Sequence, residues 1–205
     1  QKAIICMVLA YISIALMGVF VKYASDELPS SEILFSRFLI GFIFLLPFMI
    51  RDGDFKVELS QWPFLVMRNL AGIASMLLTF YTIKYLPISI AVLLMNTSAL
   101  FVPLLLFVLR TRTPLKVLAC SFLGFAGVTI IMLTDSSKHF ELQHIGYALG
   151  AAFLAAMAFI SLQELNKHNS PKNIVFYFHL LGSLLLPLFF VTQWTIPSAQ
   201  GFVLL

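Results

Sequence analysis

Residues 81–109, YTIKYLPISIAVLLMNTSALFVPLLLFVL, decide the fold. The stretch is apolar almost throughout and long enough to cross the hydrocarbon core of a bilayer, which takes ~20 helical residues. Its middle carries the polar triplet Asn96-Thr97-Ser98, and Pro103 follows. A helix facing lipid on every side has no use for three polar residues at its centre, because nothing in hydrocarbon satisfies them. A helix that lines a cavity does. The stretch therefore predicts a membrane-crossing helix with a polar inward face. It also predicts a kink near Ala99, whose carbonyl loses the bond that an N–H at Pro103 would have supplied.

Composition extends this to the whole chain. Apolar residues make up 60% and charged residues 11%, and mean hydropathy is +0.99. Soluble domains hold roughly 45–50% apolar and about 25% charged residues, so a water-soluble protein of this size is excluded. Seven stretches are long and apolar enough to span: about 3–21, 33–50, 64–83, 88–109, 115–133, 146–162 and 173–193. Pro29, Pro63, Pro87, Pro114 and Pro171 each stand just before or at the first turn of a span, where a missing N–H costs no helix bond. Another apolar run begins after Thr195. The first residue is Gln, so a further N-terminal piece is expected. Cys6 and Cys120 lie in different apolar spans with no Cys-x-x-Cys, which predicts free, buried thiols rather than a disulfide or zinc site.

Cationic residues set the expected orientation. Lys2, Arg51, Lys56, Arg110, Arg112, Lys116, Lys167 and Lys172 fall at the N-terminus and in the even-numbered loops. Only Lys22, Lys84 and Lys138 fall in the odd-numbered loops. The N-terminus is expected in the cytoplasm, with the net charge of +4 meeting anionic headgroups rather than nucleic acid.

The chain also carries an internal repeat. Offset by 141 positions, Glu32–Leu45 overlies Asn173–Leu186: Ile33 meets Ile174, Phe35 meets Phe176, Leu39 meets Leu180, Gly41 meets Gly182 and Leu45 meets Leu186. In the preceding span Ala10 meets Ala151 and Ala15 meets Ala156. One unit holds five spans, an odd number, so the second must enter the membrane from the opposite side. Inverted repeats of this kind belong to secondary transporters, whose halves rock about a midplane site. Ten spans are expected in the natural protein: a first repeat over residues 1–133, an external loop over 134–145 and an incomplete second repeat over 146–205. An open reading frame ending soon after Leu205 contradicts this expectation.

Several segments resemble the EamA family of the drug/metabolite transporter superfamily. They are Glu32-Ile33-Leu34-Phe35-Ser36-Arg37-Phe38-Leu39-Ile40-Gly41, Tyr85-Leu86-Pro87 leading into a helix with Thr97-Ser98 and Pro103, and Gly124-Phe125-Ala126-Gly127-Val128. The resemblance implies an all-α membrane fold of two inverted five-helix units around a central cavity. It also implies transport of amino acids, nucleotide derivatives, S-adenosylmethionine or xenobiotics, and a location in the plasma membrane, the inner membrane of a bacterium. Family members often carry Glu after the fourth helix; Thr111 stands there in this chain, so no role tied to that Glu carries over.

Within the spans, Arg37 lies ~6 Å from the middle of its helix at 1.5 Å per residue. A guanidinium at that depth costs at least ~2.5–3.5 kcal/mol unless solvated or paired. It serves either as an anion-binding group or as a structural clamp on Glu32 or nearby carbonyls. Asn96 cannot hide its amide and must face protein or water, as a cavity residue or as helix–helix glue. Thr97 and Ser98 can bond carbonyls one turn back. Ser75 and Thr79, four apart, share a face that could line the cavity. Tyr11 and Ser13 are polar handles on the first span, and Tyr81 suits the membrane interface. His179 could carry a proton or be a satisfied buried histidine. The expected substrate-binding set is thus Arg37, Asn96, Thr97, Ser75, Thr79, Tyr11 and His179. His139-x-Glu141-x-x-His144 has no recognised metal spacing, and neither metal nor cofactor is expected. Gly146-x-x-x-Gly150, with Ala151, Ala152, Ala155 and Ala156, predicts close helix packing.

A secondary transporter of a small polar or amphipathic metabolite fits these features. A seven-helix receptor or sensor, or a membrane scaffold, is suggested by the span count alone, and residues 173–193 hold no lysine for a retinal Schiff base. No Gly-x-Ser-x-Gly or His-Glu-x-x-His motif supports an intramembrane enzyme. The expected partners are a small-molecule substrate and the lipid bilayer, without nucleic acid, and homo-oligomerisation is left open.

Overall fold

A computed structural model describes residues 2–25, 27–53, 55, 57–109, 114–134, 142–190 and 194. The described residues are helical apart from short connections. The helices are α1 (Lys2–Ala24), α2 (Ser30–Asp52), α3 (Trp62–Tyr85), α4 (Ile88–Asn96), α5 (Ser98–Val108), α6 (Leu115–Thr134), α7 (Leu142–Leu165) and α8 (Pro171–Phe190). A single 3₁₀ turn, Leu59–Gln61, leads into α3. Six of the helical stretches are long and apolar enough to cross a membrane, one of them running through the α4–α5 junction as Ile90–Val108; Leu115–Ile131 is a shorter apolar helix. This is a multi-pass membrane protein. Thr111, Lys138, His139, Glu141 and the run after Thr195 lie outside the described residues.

The helix ends follow from local chemistry. Pro29, extended at φ −66° and ψ 143°, precedes α2, and Glu32 in the first turn and Arg51 in the last complement the helix dipole. Gly53 ends α2 in the left-handed region at φ 64°, its N–H donating to the Met49 carbonyl. At the C-terminus of α3, Lys22 on α1 donates its Nζ to the carbonyls of Ile83, Lys84 and Leu86 at 2.7, 2.8 and 3.3 Å. Those carbonyls have no amide partner within the helix, so a lysine from another helix closes the end.

The single helix expected over 88–109 is interrupted at Thr97, between α4 and α5, and not at Ala99. The Thr97 amide and its Oγ1 both donate to the Leu94 carbonyl, at 3.1 and 2.5 Å. This local 3₁₀ tightening takes up the carbonyl that Ser98 would otherwise use, while Pro103 sits inside α5.

In lipid the hydrophobic effect does not drive helices together, so small residues that admit close approach do much of the sorting. On α7 the small residues Ala148, Ala151, Ala152, Ala156 and Ala158 are buried, and α7 packs along α3. Gly150 belongs to this surface, touching Leu78, but nothing approaches Gly146; the predicted small-residue stripe starts one turn later. The second major pairing is α2 with α8. Lys172 at the start of α8 meets Asp52 at the end of α2 at 2.6 Å. Trp194, beyond α8, donates to Ser31 Oγ at 3.2 Å and stacks on Phe35. The two helices therefore run antiparallel. They cross where Gly182 faces the Phe38 ring, which would lie 2.5 Å from a Cβ there, and where Gly41 faces the His179 imidazole.

Cys6 and Cys120 are free, as expected, but both lie exposed on outer faces rather than in the protein interior. An apolar span reads the same whether its partner is lipid or protein, so burial against the protein was not legible. At the α2–α8 crossing the contacts set the expected stability changes. Gly182→Ala should lower stability by about 1–3 kcal/mol through overpacking on Phe38. Gly18→Ala, where nothing lies within 4 Å, should be neutral or slightly stabilising; thermal unfolding of both variants in detergent checks the contrast.

Candidate functional site

The crossing of α2, α3 and α8 gathers most of the interior chemistry. Arg37 on α2 has a fully buried Nη1 that makes no hydrogen bond. Arg68 on α3 has a fully buried and equally unpartnered Nε, and its guanidinium carbon lies 4.3 Å from the centre of the Phe178 ring. That stacking is a cation–π contact, which neutralises nothing. Gly72, one turn along α3, leaves the space that the Arg68 guanidinium and Phe178 occupy. Asn69, one turn before Gly72, is wholly buried, and neither its Oδ1 nor its Nδ2 has a partner.

An aromatic platform holds this group together. The Phe38 ring meets Phe178 edge-on at 5.0 Å and His179 at 5.7 Å between centres, and Phe178 meets His179 at 5.9 Å. His179 Nδ1 lies 2.9 Å from the Val175 carbonyl. That contact is a hydrogen bond when the ring carries its proton on Nδ1, and Nε2 then faces Gly41. The ion pairs Lys167–Glu164 and Lys172–Asp52 lie at helix ends, away from this crossing.

Of the seven residues expected to bind substrate, Arg37 and His179 stand on the two helices of the α2–α8 crossing, where His179 packs on Phe38, the neighbour of Arg37. Ser75 is buried and donates to the Ala151 carbonyl at 2.8 Å, so its hydroxyl joins α3 to α7. Thr79, one turn on, is half-buried. Thr97 is buried and bonded to its own helix, while Asn96 is exposed. Tyr11 is 59% exposed on the outer face of α1, and neighbouring Ser13 bonds back to Leu9. At one end of the bundle a recess of about 460 Å³ is lined by Ser30, Ser31, Tyr81, Lys84, Tyr85 and Tyr147. His144 stacks on Tyr85 there at 4.7 Å.

Arg68 and Asn69 escape a reading based on loops and central triplets, yet the count contained a signal. Of 13 lysines and arginines, 11 fall at the N-terminus or in loops, and the remaining two are Arg37 and Arg68.

A helical bundle that crosses the membrane and holds uncompensated cations and amides in its interior belongs to the class of solute-handling membrane proteins. Residues 1–133 match the EamA-like transporter family, and the chain belongs to that family, within the drug/metabolite transporter superfamily. Its members are transporters and not enzymes. The chain is 28% identical over 201 residues to the pseudopaline exporter CntI of Pseudomonas aeruginosa, covering 97% of the chain and 69% of that protein. It is 30% identical over 181 residues to a riboflavin transporter of Brucella anthropi, covering 85% and 62% respectively. It is 27% identical over 203 residues to an S-adenosylmethionine uptake transporter of Rickettsia prowazekii, covering 96% and 67%. The chain thus spans about two thirds of the length of these relatives. No solved structure matches it.

The Ser75 contact separates structural from substrate-binding roles. Ser75→Ala should lower stability by about 0.6 kcal/mol, typical of a hydrogen bond between membrane helices, and leave substrate affinity unchanged. Thermal unfolding together with a binding isotherm on the same preparation checks both halves.

Proposed function

We propose that this chain is the larger part of a secondary transporter that moves a small polar or amphipathic metabolite by alternating access. Its N-terminus lies in the cytoplasm, and its two five-helix units are inverted relative to each other in the plasma membrane. The observation that carries this is the reciprocity of the α2–α8 crossing. Gly41 receives His179, and Gly182 receives Phe38; under the 141-residue offset Gly41 corresponds to Gly182 and Phe38 to His179. Each contact is the image of the other, as a two-fold axis between repeats requires. The antiparallel course of the two helices supports inversion rather than simple duplication. Residues on such an axis sit at the interface between repeats near the midplane, where transporters of this construction place substrate.

The relatives are named for pseudopaline, riboflavin and S-adenosylmethionine, which supports a small metabolite as substrate, within the expected range of amino acids, nucleotide derivatives and the S-adenosylmethionine class. The full-length protein in liposomes should show saturable, counterflow-competent flux of at least one among labelled amino acids, nucleosides, riboflavin and S-adenosylmethionine. Absence of flux for all of them, in vesicles where the protein is shown to be folded, contradicts the transporter assignment.

A further inference from the structure

We propose that Arg37 and Arg68 together form an anion-binding site, so that the substrate carries a carboxylate or phosphate group, an inference resting on the transporter function proposed above. Two guanidinium groups come from different helices, and each has a buried nitrogen with no hydrogen-bond partner. Arg68 stacks on Phe178, and that ring meets edge-on the ring of Phe38, the residue next to Arg37 on α2. Two like charges in a medium of low dielectric repel each other and are expensive to desolvate. Among the described residues ion pairing does not offset this, since the pairs Lys167–Glu164 and Lys172–Asp52 involve neither arginine.

The surroundings hold the cations in place rather than quenching them. Phe178 supports the face of the Arg68 guanidinium at 4.3 Å, which leaves the in-plane N–H groups as donors. Guanidinium N–H groups fork onto carboxylate and phosphate oxygens in that plane. Gly72 supplies the room, since a side chain there would strike both the Arg68 guanidinium and the Phe178 ring. Asn69, next to Arg68 on α3 and wholly buried with both amide atoms unpartnered, adds a further unsatisfied donor and acceptor on the same helix. An anion that enters between α2, α3 and α8 meets the unsatisfied nitrogens and cancels the repulsion at once.

The test uses full-length protein in phosphatidylcholine nanodiscs, melted with succinate, citrate, inorganic phosphate or pyrophosphate against choline, ribose and matched sodium chloride. At least one of the four anions should raise the melting temperature beyond the salt control. Its half-saturating concentration should rise at least about tenfold in Arg37→Gln and in Arg68→Gln, the loss expected for a charge-assisted hydrogen bond. Arg68→Lys, which keeps the charge and the fold but loses the fork, should give a smaller rise and keeps the test decisive if a glutamine variant does not fold. The site is overturned if no anion exceeds the salt control, if the anion shift persists unchanged in the double glutamine variant, or if only added phosphatidylglycerol shifts the melt. Flux of a neutral or cationic solute that survives replacement of both arginines removes the anion site and leaves the transporter standing. An arginine-dependent shift without flux of any solute does the reverse.

Discussion

The close crossing of α2 and α8 is the constraint on which the rest depends. Between lipid and protein there is little apolar driving force to separate packed helices from unpacked ones, so shape must do the sorting. Two glycines remove the side chains that would hold these helices apart, and two rings, Phe38 and His179, fill the space. With α2 and α8 fixed, α3 lies beside both and along α7, and Arg37, Arg68, Asn69 and His179 are brought to one junction. The polar interior is therefore a product of packing geometry, not of any one helix's amphipathicity.

The fold was largely legible in the sequence because length and hydropathy define membrane helices almost alone. Spans and breaker prolines came from residue pattern, whereas the pairing of α2 with α8 came from the structure. Facing did not. Cys6 and Cys120 were expected to be buried, and they lie on exposed surfaces. In water an outward apolar residue is costly and the pattern betrays it; in lipid both sides of a helix favour the same residues. Thr97 takes the self-satisfying course open to a hydroxyl in a helix. Its hydroxyl satisfies itself on Leu94, so a polar residue at the centre of a span need not imply a wet cavity.

The site was legible to the extent that a residue's cost was visible. Arg37 stood out because nothing in its span could excuse it. Arg68 carries the same cost but begins nearer a helix end, where snorkelling to the interface is the cheaper expectation. The structure turns it instead onto Phe178. Asn69 gave no signal beyond its polarity, and it is buried on a helix whose neighbours include α7 and α8, which are remote in sequence. Pairings at long sequence separation are what a single chain read in order conceals.

The junction between α4 and α5 differs in kind from a proline bend. A proline withholds its amide permanently, so the bend it causes is a covalent property of the chain. At Thr97 the carbonyl of Leu94 is occupied by an amide and a hydroxyl that compete with the ordinary helical donor. The interruption here rests instead on which donors a single oxygen accepts, so one amide and one hydroxyl set it rather than a missing atom.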